Sequence, residues 1–95
     1  MKILIVGAGL SGSVIAEQFA NIGYEVDIIE KRNHIGGNCY DYTDENGIKV
    51  SKYGAHLFHT NSEKVWNYVN KFTQWKRWEH TVVSSIDNTL VPVPP

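Results

Sequence analysis

The feature that most limits what this chain can fold into lies within its first twelve residues. A continuous apolar run, Ile3-Leu4-Ile5-Val6, is bounded by Gly7 and leads directly into Gly7-Ala8-Gly9-Leu10-Ser11-Gly12. Such a run suits a strand buried on both faces, as in a parallel sheet. From Leu10 to Ile22, the residues Val14-Ile15, Phe19 and Ile22 recur at helical spacing, Ala16 and Ala20 permit close packing, and Gly23 stands where a left-handed cap is wanted. Glu25 to Glu30 then reads as a second strand that ends in acid. Strand, helix and strand in this order form a βαβ unit, with a right-handed crossover expected.

The pattern G-x-G-x-x-G means little alone, because glycine is common. Its weight here comes from its place, after a buried-type strand and at the opening of a helix. Gly7 lets the chain turn sharply, Gly9 lets a pyrophosphate approach the backbone, and Gly12 lets the helix pack tightly on the strands. The helix start offers unpaired N–H groups and a positive dipole end to phosphates. Ser11 can add its backbone N–H and hydroxyl. Glu30 follows Gly12 by 18 residues. A carboxylate there accepts hydrogen bonds from the ribose hydroxyls of an adenosine and repels a 2′-phosphate, which disfavours NADP. The plain alternative is a tight turn followed by a solvated acid. It accounts for each piece but not for their conjunction.

Composition narrows the class. Nine Lys and Arg stand against ten Asp and Glu in 95 residues, with 42% hydrophobic and 20% charged. That is a folded chain with room for one small domain, and nothing in its composition divides it in two. Near-neutrality argues against a nucleic-acid footprint or a polybasic membrane anchor. No apolar stretch reaches the roughly 18 residues of a membrane span. The N-terminal run resembles a signal peptide in tone, but three glycines interrupt it and Glu17-Gln18 follow, so it reads as retained structure. The single cysteine, Cys39, excludes an internal disulfide and a multi-cysteine zinc site, and fits a reduced, cytoplasmic compartment.

Residues 31–38 read as a loop. Tyr40 to Tyr42 and Ile48 to Val50 flank Asp44-Glu45-Asn46-Gly47, a hairpin signal. Thr60 and Glu63 fit a capping box with Thr60 as N-cap, followed by a helix with Val65, Tyr68-Val69 and Phe72 on one face. Trp78 to Ile86 looks extended, Asp87-Asn88 turns the chain, and Leu90 to Val93 extends again. Trp66, Tyr68 and Val69 are most simply core, and Cys39 is expected to pack beside the glycine turn. Trp75-Lys76-Arg77-Trp78 mixes aromatic and basic residues in the manner of a single-stranded nucleic-acid platform. In a near-neutral chain, packing at the start of a strand is the better reading, with a sugar-nucleotide pocket second. His56 and His59 form H-x-x-H, but no third ligand is evident, so a metal site is disfavoured.

Gly36-Gly37 lies six and seven residues past Glu30, where simple NAD folds usually enter a helix. The pair suggests another close backbone approach to the same ligand. Here the chain resembles flavoproteins, amine oxidases and phytoene desaturases among them, that carry G-x-G-x-x-G, then Glu, then Gly-Gly, and FAD is favoured over NAD on that resemblance. The segments Glu30-Lys31-Arg32-Asn33-His34-Ile35-Gly36-Gly37-Asn38, Lys52-Tyr53-Gly54-Ala55-His56-Leu57-Phe58-His59-Thr60-Asn61 and Val65-Trp66-Asn67-Tyr68-Val69-Asn70 are similar to the UDP-galactopyranose mutase family, in order and over nearly the whole chain.

That resemblance implies an isomerase that interconverts UDP-galactopyranose and UDP-galactofuranose with reduced FAD, whose N5 bonds the anomeric carbon while UDP leaves. Formation of the furanose would belong to polysaccharide biosynthesis. It implies an α/β fold: a Rossmann-like βαβ FAD-binding unit with an added β-hairpin and helix, part of a flavoprotein domain. It implies cofactor contacts at Gly7, Gly9, Ser11, Gly12, Glu30, Lys31, Gly36, Gly37, Asn38, His56 and Leu57, a catalytic position at His59 near the reacting face, and substrate contacts at His80 and Ser84. It also implies that residues 1–95 are the N-terminal part of a longer enzyme, since members of that family run to several hundred residues. Such a piece is expected to fold by pairing with another copy or by closing on its own hairpins. It is expected to hold FAD weakly or not at all and to show no turnover. The alternative is a piece of an amine-oxidase-like flavoprotein, or a non-catalytic nucleotide-binding module.

Overall fold

A computed structural model describes residues 1–79 and 81–93, and the chain divides into two compact units, Met1–His56 and a second from Leu57 onward. The sequence shows no compositional break there. The division falls in a stretch without helix or strand between Lys52 and Ser62.

The first unit opens with β1 (Lys2–Val6), α1 (Leu10–Asn21) and β2 (Glu25–Ile29). β1 and β2 pair in parallel, with Ile3 opposite Val26 and Ile5 opposite Ile28. Alternation along the strands sends Ile3, Ile5, Val26 and Ile28 to the face that α1 covers. Ile5, Ala8 and Ala16 are the buried apolar residues among those described. Leu4 and Val6, on the opposite face, stay 62% and 78% exposed. The apolar run at β1 is therefore covered on one face rather than the two its composition suggests. At the lower end of that open face Lys2 Nζ lies 3.1 Å from Asp27 Oδ2. An exposed pair of this kind contributes roughly 0–1 kcal/mol.

α1 ends as its sequence signals. Gly23 has φ +93°, its N–H donates to the Ala20 carbonyl at 3.1 Å, and the Tyr24 N–H donates to the Phe19 carbonyl at 3.1 Å. These two bonds are the Schellman pattern. The accompanying apolar contact is Phe19 stacked on Tyr24 with centroids 5.4 Å apart.

After β2 the chain forms a 3-10 turn (Gly37–Cys39) and then a hairpin of β3 (Asp41–Thr43) and β4 (Lys49–Ser51), with Tyr42 opposite Val50. Both strands sit one residue later than the sequence suggests. Asp44 explains the turn: its Oδ1 accepts from the Asn46 and Ile48 N–H groups, each at 2.9 Å. Cys39 is exposed rather than packed, because it ends a single 3-10 turn that buries none of its residues.

The second unit contains α2 (Glu63–Val69) and a hairpin of β5 (Val82–Ile86) and β6 (Thr89–Val93). The N-cap of α2 is Ser62, not Thr60: Ser62 Oγ accepts from the Val65 N–H at 3.3 Å. Thr60 Oγ1 instead accepts from the Ser62 N–H, turning the chain into the cap. Two cap-type residues compete here, and the one adjacent to the helix reaches its amides. The helix stops before Phe72. Trp66 is 42% exposed and Tyr68 and Val69 are half-buried, so none is core among the described residues. Phe58, Trp66 and Trp75 instead form an aromatic cluster with centroids 5.1 to 6.3 Å apart. Of the extended stretch expected from Trp78 to Ile86, the described strand is Val82–Ile86. Asp87 and Asn88, at φ +49° and +60°, make the two-residue turn. Ser84 pairs with Val91 in this hairpin.

Candidate functional site

The site is built around the peptide units of Ala8. Ala8 lies between β1 and α1 and is only 4% exposed. Its N–H donates to Glu30 Oε1 at 2.8 Å, and its carbonyl accepts from the Gly36 N–H at 2.8 Å. The turn that opens α1, the acid that follows β2 and the Gly36-Gly37 turn thus meet on one residue. Gly7, with φ +107°, donates its N–H to the Ile29 carbonyl at 2.8 Å, continuing the β1–β2 ladder into the turn.

Gly12 is held to its type by packing. A Cβ there would lie 2.0 Å from the Gly7 carbonyl oxygen and 3.3 Å from Ile5 Cγ2. This is the close helix–strand approach expected of the third glycine of the motif. Gly37 answers to a different neighbour. With φ +59°, its Cβ would sit 3.0 Å from Gly9 Cα. The second glycine pair therefore lies against the first glycine turn, and this backbone-to-backbone approach is a reason for Gly-Gly that sequence spacing does not show.

α1 begins without a side-chain cap. Gly9 is the N-cap in an extended conformation, and no acidic residue lies in the first turn. The first amide to bond within the helix is that of Ser13, to the Gly9 carbonyl at 3.0 Å. The N–H groups of Leu10, Ser11 and Gly12 precede it and have no intrahelical acceptor. Ser11 is exposed on this first turn. Donors that no side chain claims, beside backbone that carries no Cβ at Gly9, suit a pyrophosphate.

Glu30 is half-buried. Its Oε1 faces Ala8, and its Oε2 accepts from the Arg32 N–H at 2.7 Å. The Ala8 amide first, then the Arg32 amide, hold the carboxyl below its ordinary value. Partial loss of water opposes this, and the charges of Arg32 and His34 reinforce it. A carboxylate offers about four acceptor positions. Two are used by backbone, and the others remain for hydroxyl donors. The donors and the acceptor fit the phosphate and ribose ends of an adenine dinucleotide.

The remaining predicted residues fall as follows. Lys31 is exposed directly after the acid. Asn38 Oδ1 accepts from Arg32 Nη1 at 3.0 Å. His56 Nδ1 lies 2.8 Å from the Gly54 carbonyl oxygen. That oxygen can only accept, so Nδ1 carries the proton and Nε2 is left as an acceptor. His56 closes the first unit, while Leu57, His59 and Ser84 belong to the second. Leu57 and His59 are exposed and Ser84 is half-buried. His80 lies outside the described residues. Sequence reasoning passed over Ala8, Arg32, His34 and Tyr53. Arg32 had a signal, a cation two residues past Glu30; the others become visible only through contacts distant in sequence.

Comparison with known proteins agrees with this geometry. The chain matches the NAD(P)-binding Rossmann-like domain family over residues 5–72. It is 46% identical over 98% of its length to a probable UDP-galactopyranose mutase of Klebsiella pneumoniae, of which it spans 24%. It is 44% identical over 98% of its length to the dTDP-fucopyranose mutase of Escherichia coli, of which it spans 25%. It is 40% identical over 61% of its length to a zeta-carotene desaturase of Capsicum annuum, of which it spans 10%. The chain thus spans about a quarter of the length of the mutases it matches, and its likeness to them covers 98% of it where likeness to the desaturase covers 61%.

Proposed function

The chain belongs to the NAD(P)-binding Rossmann-like domain family, and on that premise we propose that it holds the adenosine diphosphate half of FAD as the N-terminal part of a nucleotide-sugar mutase. The observation that carries the reading is the convergence at Ala8 of the glycine turn and the Glu30 carboxylate. Together they supply phosphate donors and a ribose acceptor within one turn of chain. Likeness to the two mutases along almost the whole chain, against partial likeness to the desaturase, favours a mutase over an oxidase.

In this reading the Gly9, Ser11 and Gly12 backbone lies against the pyrophosphate, and Glu30 orients the adenosine ribose. Lys31 and Asn38 stand beside the same nucleotide. When bound and reduced, FAD supplies a nucleophile toward the anomeric carbon of the sugar. The segment from His56 to His59 follows in sequence. His56 Nε2 can accept a hydrogen bond, Leu57 offers apolar contact, and the exposed His59 imidazole can hold or move a proton near the reacting sugar. Ser84 and His80 are assigned to the substrate side.

The substrate assigned is UDP-galactopyranose, interconverted with UDP-galactofuranose for polysaccharide synthesis in the cytoplasm. The near-equal identity to a dTDP-fucopyranose mutase carries a second reading, in which the same ring contraction acts on a dTDP-sugar. No helix among the described residues is long and apolar enough to cross a membrane.

Titration of the labelled chain with FAD or ADP, followed by amide chemical shifts, tests the cofactor reading. Shifts are expected at Ala8, Gly9, Ser11 and Gly12, with Glu30→Ala weakening binding about tenfold, the loss of one or two charge-assisted hydrogen bonds. Shifts scattered away from this turn would overturn it. Chromatography of UDP-galactofuranose and dTDP-fucofuranose after incubation with the full gene product and dithionite separates the two substrates. The 95-residue chain alone is expected to convert neither.

A further inference from the structure

The loop beside Glu30 contains a cation with an unexpected commitment. Arg32 donates its backbone N–H to Glu30 Oε2, yet among the described residues no ion pair joins its guanidinium to that carboxylate. Nη1 donates instead to the neutral Asn38 Oδ1 at 3.0 Å. Arg32 Cζ lies 4.2 Å from the centroid of the Tyr53 ring. Tyr53 is itself anchored, with its hydroxyl 2.8 Å from His34 Nε2. His34 Nδ1 lies 2.9 Å from the Ile35 carbonyl oxygen, so Nδ1 carries a proton, while Nε2 faces the Tyr53 hydroxyl, which can donate or accept. The imidazole stacks on Tyr40 with centroids 3.8 Å apart.

An arginine near the ribose acid is the group that accommodates a 2′-phosphate in this class of fold. Its planar fork matches phosphate oxygens, and its flat face stacks on aromatic rings. In this chain the face is spent on Tyr53 and one arm of the fork on Asn38. Lys31 is also close in sequence, but it offers a point charge rather than a fork.

We propose that Arg32, Asn38 and Tyr53 form a specificity bracket: the bracket withholds the guanidinium from the nucleotide, so that the site rejects ligands bearing a phosphate on the ribose 2′-oxygen. The inference rests on the dinucleotide reading given above. Glu30 supplies the repulsion, and the bracket removes the group that would offset it. Tyr53 acts through Arg32 and is a positioning residue.

The test uses the full chain and two probes that differ only in the 2′-phosphate, NAD and NADP, with affinities read from amide shifts at Gly7 to Gly12. The wild-type chain is expected to prefer NAD. Tyr53→Leu frees the guanidinium and is expected to narrow the NAD-over-NADP ratio about fivefold, what one exposed charge-assisted contact supplies. The narrowing is expected to vanish in the Arg32→Ala/Tyr53→Leu double variant, while Lys31, present throughout, cancels from the comparison. An unchanged ratio in Tyr53→Leu, or a narrowing that survives the loss of Arg32, overturns the bracket. Where Tyr53→Leu loses its helical circular dichroism, Arg32→Lys decides. It keeps the charge and loses the flat face and the fork, so a wild-type ratio there overturns the proposal. Absence of shifts at Gly7 to Gly12 with NAD and with ADP alike in the wild-type chain fails the dinucleotide reading and the bracket with it; where ADP binds and NAD does not, the same ratio is read with ADP and its 2′-phosphate. NAD binding with an unmoved ratio fails the bracket alone.

Discussion

Ala8 and Glu30, 22 residues apart, are joined by an N–H to Oε1 hydrogen bond of 2.8 Å. The acid is therefore a clamp on the glycine turn before any ribose reaches it. A charged acceptor on a part-buried amide is among the stronger local contacts a small fold can make.

This clamp sets a dependence on pH. The folded-state carboxyl of Glu30 titrates below its ordinary value of 4.5. A depressed folded value means that the stabilisation is complete above the unfolded value and is lost as pH falls through the folded one. Thermal unfolding of the wild-type chain and Glu30→Gln at a series of pH values should show a gap at neutral pH. The gap should close below pH 4.5. A gap independent of pH would mean that the carboxylate charge does not stabilise the turn.

Gly12→Ala should be the most damaging single methyl addition in the first unit. The new carbon would lie 2.0 Å from the Gly7 carbonyl oxygen, a backbone atom that cannot rotate aside, so the start of α1 must move away from the turn. Overpacking of this severity costs about 3 kcal/mol. Denaturant unfolding followed by circular dichroism measures it; a loss under about 1 kcal/mol would show that the helix can shift freely.

Gly37→Ala combines a left-handed backbone with a 3.0 Å approach to Gly9 Cα. The expected cost is about 1–2 kcal/mol. The turn it disturbs is the one proposed to hold the phosphates, so on that reading nucleotide affinity should fall further than stability does. Parallel unfolding and titration experiments compare the two losses.

In the second unit, Ser62→Ala should remove about 1 kcal/mol from α2, and Thr60→Ala should remove less. Ser62 Oγ bonds a helical amide, whereas Thr60 Oγ1 bonds the cap residue. Ellipticity at 222 nm is the readout, and a larger loss from Thr60→Ala would reinstate Thr60 as the cap.

The βαβ unit was legible because each of its signals is local. The apolar run, the glycine turn and the Gly23 stop act within a few residues of themselves, and the structure forms the strand, turn and helix end they signal, although β1 is covered on one face rather than two. The cap of α2 was misread because Thr60, Ser62 and Glu63 satisfy two capping registers, and only the reach of the serine hydroxyl separates them. Gly36-Gly37 reads as a close backbone approach to a ligand, whereas the approach the structure shows is to the Gly9 backbone, from a distant part of the chain. Arg32 on Tyr53 and Glu30 on Ala8 are likewise contacts that no periodicity encodes. Trp66 carries core-type chemistry, yet it lies in an aromatic cluster that stays partly open to water.

Asp87 and Asn88 also bear on the order of events during folding. Two consecutive residues at positive φ twist the chain as a hairpin requires, and joining β5 to β6 closes almost no loop. Zippering of such a ribbon takes about 1–10 μs. β1 and β2 must wait until the intervening helix has brought distant partners together, which is the slower route. The β5–β6 ribbon can thus order on local contacts alone, without waiting for the β1–β2 pairing that completes the glycine turn.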